Sequence, residues 1–266
     1  MGITIKKIVI LGAGNVAWHL AFQISRIGIF TIQLYCRNKS SIKDFEDFGI
    51  TEFVHDIKDI DTSASLYIIC VNDDNILTLA KSLDFNMSSS QILVHTSGAQ
   101  EAEILKIVSV NYGCIWPVQT LSKGIPLTND ILPFIVTSSD KMTKVSLFNF
   151  LNYISHSVHY MDDSQKSNMH MGAVVVNNFS YHLWILIKDF CKNENIDFNI
   201  LSPLIEETMH KTLIDTNQTG QTGPARRHDN KTIEKHKVAL INHSELYDLY
   251  TVFTESIKKR YNENHR

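Results

Sequence analysis

Near the start of the chain, a short apolar run, KIVIL, leads directly into the segment GAGNVA. Gly12, Gly14 and Ala17 occupy the small positions of a G-x-G-x-x-A pattern, and Val16–Ile27 has helical spacing. In a strand-turn-helix unit the first glycine permits the tight turn, the second lets backbone N–H groups approach a pyrophosphate, and the alanine lets the helix pack on the sheet. The pattern therefore predicts a dinucleotide-binding unit. The residues expected to contact the dinucleotide are Gly12, Ala13, Gly14, Asn15 and Val16.

Further apolar runs resemble KIVIL in being nearly continuous rather than alternating. Such runs are typical of parallel strands that helices cover on both faces of a sheet. Val16–Ile27 and Asn75–Leu83 have helical spacing between them, which favours strand-helix-strand units. We therefore predict an α/β fold, a doubly wound Rossmann sheet with mostly parallel strands. The predicted strands cover residues 7–14, 31–38, 66–73, 91–98 and 132–139.

After about residue 161, apolar residues recur only at helical spacing, and no convincing strand pattern follows. We therefore predict a Rossmann domain over residues 1–161 and an all-α C-terminal domain over residues 162–266. The helical stretches of the second domain cover residues 164–190, 201–214 and 244–261.

The composition excludes several classes of protein. A net charge of -3 and a pI near 6.4 argue against a nucleic-acid-binding protein, which usually carries a strongly basic face. No apolar run is long enough to cross a bilayer, so we expect no membrane partner. The 4 cysteines lie far apart without a C-x-x-C pair, which indicates neither a metal site nor a disulfide framework. Reduced thiols of this kind are typical of a cytoplasmic protein.

The segment YCRNKSS, at the end of the second predicted strand, bears on the choice between NAD and NADP. An NAD site usually has Asp or Glu here to bind the ribose hydroxyls, and this segment has neither. Arg37, Asn38, Ser40 and Ser41 instead offer cationic and polar donors suited to a 2′-phosphate. Lys39 fits either this role or a solvated loop. The segment therefore predicts NADP in preference to NAD.

Two loops that follow predicted strands carry candidate ligand contacts. Val71 and Asn72 follow the run LYIIC and are expected to lie along the nicotinamide half of the cofactor. Asp73 and Asp74, which come next, are expected to cap the following helix.

The segment HTSG, at residues 95–98, ends another strand. Hydroxyls beside a glycine at the carboxyl end of a parallel strand are well placed to hydrogen-bond a ligand in the crevice. We therefore predict that Thr96 and Gly98 bind substrate and that Ser97 takes part in catalysis. His95 fits two interpretations, a buried strand residue or a catalytic group.

Four segments together resemble one family of oxidoreductases. They are LGAGNVA, HTSGA, YGCIWPVQTL and TGPARRHDNKTIEKH, and they span nearly the whole chain. The family has an N-terminal NADP-binding Rossmann domain and a helical C-terminal domain of unknown specificity, and it is similar in plan to pyrroline-5-carboxylate reductase and the β-hydroxyacid dehydrogenases. The resemblance implies hydride transfer and a homodimer built through the helical domain, but it names no substrate.

The chain departs from that family at two positions. The family usually has His-Pro where this sequence has Trp116-Pro117, so a role of that histidine cannot be transferred. A glycine is common between the arginine and the aspartate of the last segment, where this sequence has His228.

The resemblance also draws attention to the first helix of the second domain. In the similar dehydrogenases, a polar pair on this helix faces the nicotinamide, and His170 and Asn178 lie two helical turns apart here. By that analogy His170 donates a proton to the carbonyl or imine and Asn178 holds the substrate, since histidine titrates near neutral pH. Two alternatives stay open: Lys166, one turn earlier, is the competing donor, or His170 only satisfies a helix-helix contact.

The segment TGPARRHDNKTIEKH combines a Gly-Pro turn with a basic pair. Arg227 stands at the arginine position of the motif, where it would anchor a substrate anion or brace a dimer interface. Arg226 occupies a variable position and is expected to be solvated. Asp229 precedes a helical run and is expected to act as its N-cap.

These patterns predict an NADP-dependent oxidoreductase that transfers a hydride between NADP(H) and a small carbonyl or imine. The alternative is a dinucleotide-binding sensor or assembly protein without turnover. The departure at Trp116 keeps this alternative open.

Overall fold

The computed structural model describes residues 2–50, 52–127, 132–215 and 220–262. The chain forms two compact units, which divide between Val174 and Val175.

The described residues of the first unit contain a single sheet. Its eight strands are β1 Lys7–Leu11, β2 Thr31–Tyr35, β3 Glu52–Val54, β4 Leu66–Ile69, β5 Ile92–His95, β6 Tyr112–Pro117, β7 Phe134–Ser138 and β8 Val158–Tyr160. Their order across the sheet is β3-β2-β1-β4-β5-β6-β7-β8, and neighbours are parallel except for the antiparallel pair β6 and β7. The first six strands have the doubly wound Rossmann order, whose direction reverses between β1 and β4. The predicted fold class is therefore confirmed.

The sheet is apolar because both of its faces are covered. In β1, Ile8 and Ile10 enter one hydrophobic cluster, while Val9 and Leu11 enter another, and all four are fully buried. Since successive side chains of a strand point to opposite faces, a strand covered on both sides is expected to be apolar at nearly every position. This is the physical reason for the continuous apolar runs in the sequence.

Each predicted strand exists, but its carboxyl end is shorter than predicted. In the parallel strands β1, β2, β4 and β5, the last residues of the run, such as those after Leu11 and Ile69, turn into loops at the carboxyl edge of the sheet. The sequence pattern does not reveal β3, β6 and β8. The first and last of these have 3 residues each, and β6 contains Gly113 and Pro117, which disfavour a strand.

Four α-helices lie in the described part of the first unit: α1 Asn15–Ile27, α2 Ile76–Lys81, α3 Lys141–Leu151 and α4 Asp163–Ala173. α1 buries Ala17, Leu20, Ala21 and Ile24 against the sheet, at the spacing of one helix face. It ends at Gly28, whose φ of 72° is the left-handed conformation that glycine adopts without strain.

α4 begins where the apolar pattern of the sequence changes from strand-like runs to helical spacing. A capping box fixes its start, since Asp162 accepts a hydrogen bond from the Gln165 N–H and the Gln165 side chain accepts one in return. The predicted domains divide here, at residues 161 and 162, whereas the compact units divide after α4. The physical reason is that α4 packs on the first unit, with Lys166 buried and Ala173 against the cluster that contains Trp116.

The described residues of the second unit are helical and contain no strand. A π-helical segment, Val174–Phe179, follows α4 and interrupts the single helix that the spacing predicts. The remaining α-helices are α5 Ser180–Asn193, α6 Ser202–Ile214, α7 Asn230–Ala239 and α8 Ser244–Asn262. Among the helices that the structure describes, none has both the length and the apolar character to cross a membrane.

Candidate functional site

The loop between β1 and α1 requires glycine at its first position. Gly12 has a φ of 127°, and a Cβ there would lie 2.2 Å from the carbonyl oxygen of Cys70. The Gly12 N–H donates to the Tyr35 carbonyl at 2.9 Å, and the Cys70 N–H donates to the Leu11 carbonyl at 2.8 Å. The backbones of β1, β2 and β4 therefore meet at a point that no side chain could share.

The second glycine leaves the start of α1 open. Gly14 is the N-cap residue and supplies no side-chain cap, and a Cβ built on it meets no described heavy atom within 4 Å. The first N–H groups of α1 therefore receive no side-chain cap, and they carry the partial positive charge of the helix dipole. Ala17, the third small residue, is fully buried, as the pattern predicts. This arrangement is suited to bind an anion.

A cavity of about 400 Å³ lies beside this loop. Five of the predicted cofactor residues line it, namely Gly12, Ala13, Arg37, Asn38 and Val71. Among the described residues that line it, Arg37 is the one charged residue and none is acidic. Ser41, a predicted donor of the segment YCRNKSS, also lines it. The other lining residues, which the sequence pattern does not reveal because they come from helix faces and strand ends, are Tyr35, Cys36, Asn75, Thr78, Leu79 and Ser82.

The other predicted cofactor residues do not line this cavity but lie close in the chain to residues that do. Asn15 and Val16 form the first turn of α1, and the Asn15 Oδ1 accepts a hydrogen bond from the Lys123 N–H at 3.1 Å. Ser40 donates its N–H and its hydroxyl to the Asn38 Oδ1, at 3.0 and 2.9 Å, which shapes the turn after β2. Asn72 follows β4 and precedes a short 3₁₀ turn, Asp73–Asn75.

The expectation that Asp73 and Asp74 cap the helix after β4 is wrong. The N-cap residues of the 3₁₀ turn and of α2 are Asn72 and Asn75, and neither forms a side-chain cap. The two aspartates instead lie in the first turn of the 3₁₀ helix, before the N-cap residue of α2.

His95 is a structural histidine. It is 0% exposed, its Nδ1 accepts the Ser97 N–H at 3.1 Å, and its Nε2 lies 3.2 Å from the Glu101 carbonyl. Because the backbone donates to Nδ1, the proton is on Nε2 and points to the carbonyl oxygen. Burial, reinforced by the charge of Lys166, lowers the pKa of His95 to about 4. The imidazole is therefore neutral and shapes the loop after β5, which supports the buried-residue interpretation.

The hydroxyls next to His95 also shape this loop. The Ser97 Oγ accepts the N–H groups of Ala99 and Gln100, at 3.1 and 3.0 Å. The Thr96 hydroxyl donates to the Ile69 carbonyl at 3.4 Å. The bonds to Ser97 use its oxygen as an acceptor and leave its hydrogen available as a donor.

Gly98 lies directly under two aromatic rings. A Cβ at Gly98 would lie 2.5 Å from the His170 Cδ2 and 2.6 Å from the Trp116 Cε2. The two rings themselves meet edge to face, with centroids 5.3 Å apart. The first unit therefore brings the loop after β5, the strand β6 and the helix α4 together at one point, and His170 is partly exposed there.

Lys166, one turn before His170, is buried at 1% exposure. Its ammonium donates to the Gln100 carbonyl and pairs with the Asp163 carboxylate at 3.1 Å. Asp163 in turn accepts the Ala102 N–H at 2.9 Å. Both charged side chains therefore fix the backbone of the loop after β5.

The remaining predicted site residues belong to the second unit. Asn178 lies in the π-helical segment, is exposed, and accepts a hydrogen bond from the Asn177 side chain at 3.2 Å. Arg227 is exposed in the turn before α7. The expected N-cap is confirmed, because Asp229 accepts the Thr232 N–H at 3.1 Å and its hydroxyl at 2.7 Å.

The expectation that Arg226 is solvated is wrong. Its guanidinium carbon lies 4.9 Å from the centroid of the Tyr261 ring, and it donates to the Gln221 carbonyl. A cation over an aromatic face is attracted to the ring, which accounts for the partial burial of this arginine. The described residues contain no cluster of side chains that could hold a metal ion.

Two family models match the chain in succession. A Rossmann-like domain matches residues 4–119, and a domain of unknown function (DUF2520) matches residues 132–257. The chain combines a Rossmann-like domain with a DUF2520 domain. The two-domain plan implied by the resemblance is thereby confirmed. Comparison with curated proteins finds no significant match.

Solved structures share this plan. BF3122 from Bacteroides fragilis, whose name carries a provisional assignment as an NADP oxidoreductase, is 29% identical, with a TM-score of 0.87 over 97% of this chain and 100% of its own. A reductive aminase from Aspergillus terreus, solved with NADPH and ethyl-5-oxohexanoate, is 14% identical, with a TM-score of 0.72 over 97% of this chain and 94% of its own. An imine reductase from Pseudomonas sp. is 13% identical, with a TM-score of 0.70 over 97% and 95% of the chains. The last two show similarity of fold alone.

Proposed function

We propose that this Rossmann-DUF2520 protein is an NADP-dependent oxidoreductase that transfers a hydride between NADP(H) and a small carbonyl or imine. The observation that carries the proposal is the glycine loop, with an open helix N-terminus and a cavity of about 400 Å³ beside it. This set of features fits the pyrophosphate and the adenosine end of a dinucleotide. The similarity to BF3122 supports the same reaction class.

Arg37 supports NADP over NAD. It is the one charged side chain among the residues lining the cavity, at the end of β2 where an NAD site carries an acid. A guanidinium pairs well with a phosphate, and the absence of a carboxylate from the lining leaves the ribose hydroxyls without their usual acceptor. Asn38 and Ser40 would complete the phosphate contacts, while Val71 and Asn72 would border the nicotinamide half.

NADPH, when bound, supplies the hydride, so the chain's own task is to position the substrate and to move a proton. His170 is the better candidate donor, because its ring is partly exposed and lies against Gly98 at the carboxyl edge of the sheet. Lys166 is buried, and its ammonium is engaged by Gln100 and Asp163. We therefore assign proton donation to an imidazole nitrogen of His170.

The other predicted residues would bind or orient the substrate. Ser97 retains a hydroxyl hydrogen to donate to a ligand, and Thr96 and Gly98 would bind from the same loop. Asn178 would hold the substrate, as the resemblance implies. For Arg227, the exposed guanidinium suits both an anion anchor and a dimer brace.

Turnover tests this proposal. Purified protein is mixed with NADPH and a panel of keto acids, aldehydes and cyclic imines, and NADPH oxidation is followed by absorbance. We expect at least one class to be reduced, and the His170→Ala variant to have a kcat lower by about 10²- to 10⁴-fold, the usual contribution of a general acid. His156→Ala, which removes an exposed histidine of the same unit, is the control.

Unchanged turnover in His170→Ala would reject the assignment of the donor. Tight NADPH binding without turnover of any substrate would favour the alternative, a dinucleotide sensor or assembly protein. Trp116 is the observation behind that alternative, because it fills the position where the resembling family has a histidine and packs on His170.

A homodimer through the helical unit is also part of the proposal. Large apolar side chains are exposed on the described residues of this unit, and such surfaces are typical of interfaces. A mass of twice 30.3 kDa by light scattering is expected, and a monomer mass would contradict it. The exposed apolar residues of this unit include Phe179, Tyr181, Leu204, Leu213, Ile241, Val252 and Phe253.

We also propose a cytoplasmic location, since all 4 cysteines are free and buried.

A further inference from the structure

Lys123, in the segment between β6 and β7, contacts the glycine loop at two points. Its backbone N–H donates to the Asn15 Oδ1 at 3.1 Å, and its ammonium donates to the Ala13 carbonyl at 3.4 Å. The same ammonium pairs with the Asp44 carboxylate at 2.6 Å. A cation therefore lies on the loop that the proposed function assigns to the cofactor pyrophosphate, and the sequence pattern does not reveal it.

Packing on both sides fixes this position. The residue before Lys123, Ser122, uses its carbonyl to hold the Nε2 of His19 at 3.1 Å, and His19 is buried in α1. On the other side, the Trp18 indole donates to the Asp44 carbonyl at 2.9 Å. Both anchors are residues of α1, so Lys123 and Asp44 are held against the start of the same helix.

The pair between Lys123 and Asp44 is open to water, with side chains 31% and 43% exposed. Exposed ion pairs contribute little to stability, because solvent screens them and both side chains lose freedom. The ammonium can therefore change partner at small cost. A pyrophosphate is the stronger partner, because it offers the ammonium the same charge-assisted hydrogen bond and carries more negative charge than one carboxylate.

The charge of Lys123 also reaches the wall of the cavity. Cys36 lines that cavity, and burial raises the pKa of its thiol while Lys123 opposes the rise. Lys123 thus lies within electrostatic range of both sides of the site, the glycine loop and the end of β2.

We propose that Lys123 is a cofactor-binding residue that exchanges Asp44 for the pyrophosphate of the dinucleotide. This inference rests on the proposed function, since it names a further residue of the same cofactor site. Lys123 would supply the positive side chain that the glycine loop itself lacks, while Arg37 would serve the 2′-phosphate. The two cations then have different predicted effects on the two nicotinamide cofactors, because NADH has the pyrophosphate but no 2′-phosphate.

The test compares dissociation constants for NADPH and NADH, measured by nicotinamide fluorescence. Lys123→Met should weaken both cofactors by about tenfold, the effect of losing one hydrogen bond to a charged group. Arg37→Met should weaken NADPH alone. Lys123→Arg should retain most of the affinity, and Lys106→Met, which removes an exposed lysine paired with Glu103, should change neither constant. Thermal unfolding of each variant verifies that it is folded.

Asp44, the carboxylate partner of Lys123, provides an independent test. Asp44→Asn frees the ammonium, so it should tighten both cofactors by about two- to fivefold. In the Lys123→Met background the same change should have a much smaller effect, because the freed partner is missing. An equal gain in both backgrounds would mean that Asp44 acts by repulsion alone, and it would overturn the exchange.

The remaining outcomes separate this inference from the proposed function. If the wild-type protein binds NADPH and Lys123→Met binds both cofactors unchanged, or loses only NADPH, the assignment of Lys123 to the pyrophosphate is wrong while the function stands. If the wild-type protein binds neither cofactor, both the proposed function and the inference about Lys123 are rejected.

Discussion

The replacement Gly98→Ala tests the packing at the centre of the proposed substrate site. The new Cβ would lie 2.5 Å from the His170 Cδ2 and 2.6 Å from the Trp116 Cε2, where van der Waals contact requires well over 3 Å. Both rings therefore have to move by about 1 Å. Overpacking of this kind costs about 1–3 kcal/mol, and each kcal/mol lowers the Tm of a chain of this size by about 2–4 °C.

Circular dichroism during thermal unfolding is the assay, with Gly172→Ala as the matched control. Gly172 lies in α4, two residues after His170, and a Cβ there meets no described heavy atom within 4 Å. That change should therefore be neutral or raise stability by about 0.5–1 kcal/mol. The cost of Gly98→Ala should be smaller in a His170→Ala background, because one of the two clashing rings is gone. A wild-type Tm for Gly98→Ala would refute this reasoning.

Three further predictions concern stability. The folded-state pKa of His95, about 4, lies below the unfolded value of about 6.5, so the unfolded chain binds the extra proton between these values. The contribution of neutral His95 to the unfolding free energy is thus fully present above pH ~6.5 and falls by about 3 kcal/mol towards pH ~4. Urea titrations of wild type and His95→Gln across this window should show the difference. Lys166→Met should cost about 2–3 kcal/mol in urea denaturation, since it removes the bond to Gln100 and leaves the carboxylate of Asp163 without its cation; a stability equal to wild type would contradict the reading of this buried pair. Asp229→Ala should cost about 1 kcal/mol through the lost N-cap of α7, and an unchanged urea midpoint would show that the cap contributes nothing.

The sequence predicts the parts of the fold that have strong local causes. The glycine loop has a recognisable sequence motif because only small residues fit at two of its positions. Gly12 packs against the Cys70 backbone, and Ala17 is buried against the sheet. The strands of the parallel sheet are apolar at most positions because both faces are covered. Short strands such as β3 and β8 have too few residues to leave a pattern.

The sequence predicts fewer of the contacts in the candidate site, because these contacts join segments that are distant in the chain. Lys123 lies 110 residues from Ala13, and Lys166 lies 66 residues from Gln100. A lysine near a helix start is usually solvated, and only the fold shows that Lys166 is buried. His95 likewise becomes structural only when its Nδ1 and Nε2 partners are known.

The central claim is that this chain binds NADP(H) through the glycine loop and Arg37. It is tested most directly by titrating the purified protein with NADPH and with NADH, and by following the nicotinamide fluorescence. The account predicts saturable binding with a dissociation constant about tenfold lower for NADPH, the contribution of one charge-assisted contact to the 2′-phosphate. Binding of neither cofactor, or tighter binding of NADH, would contradict it.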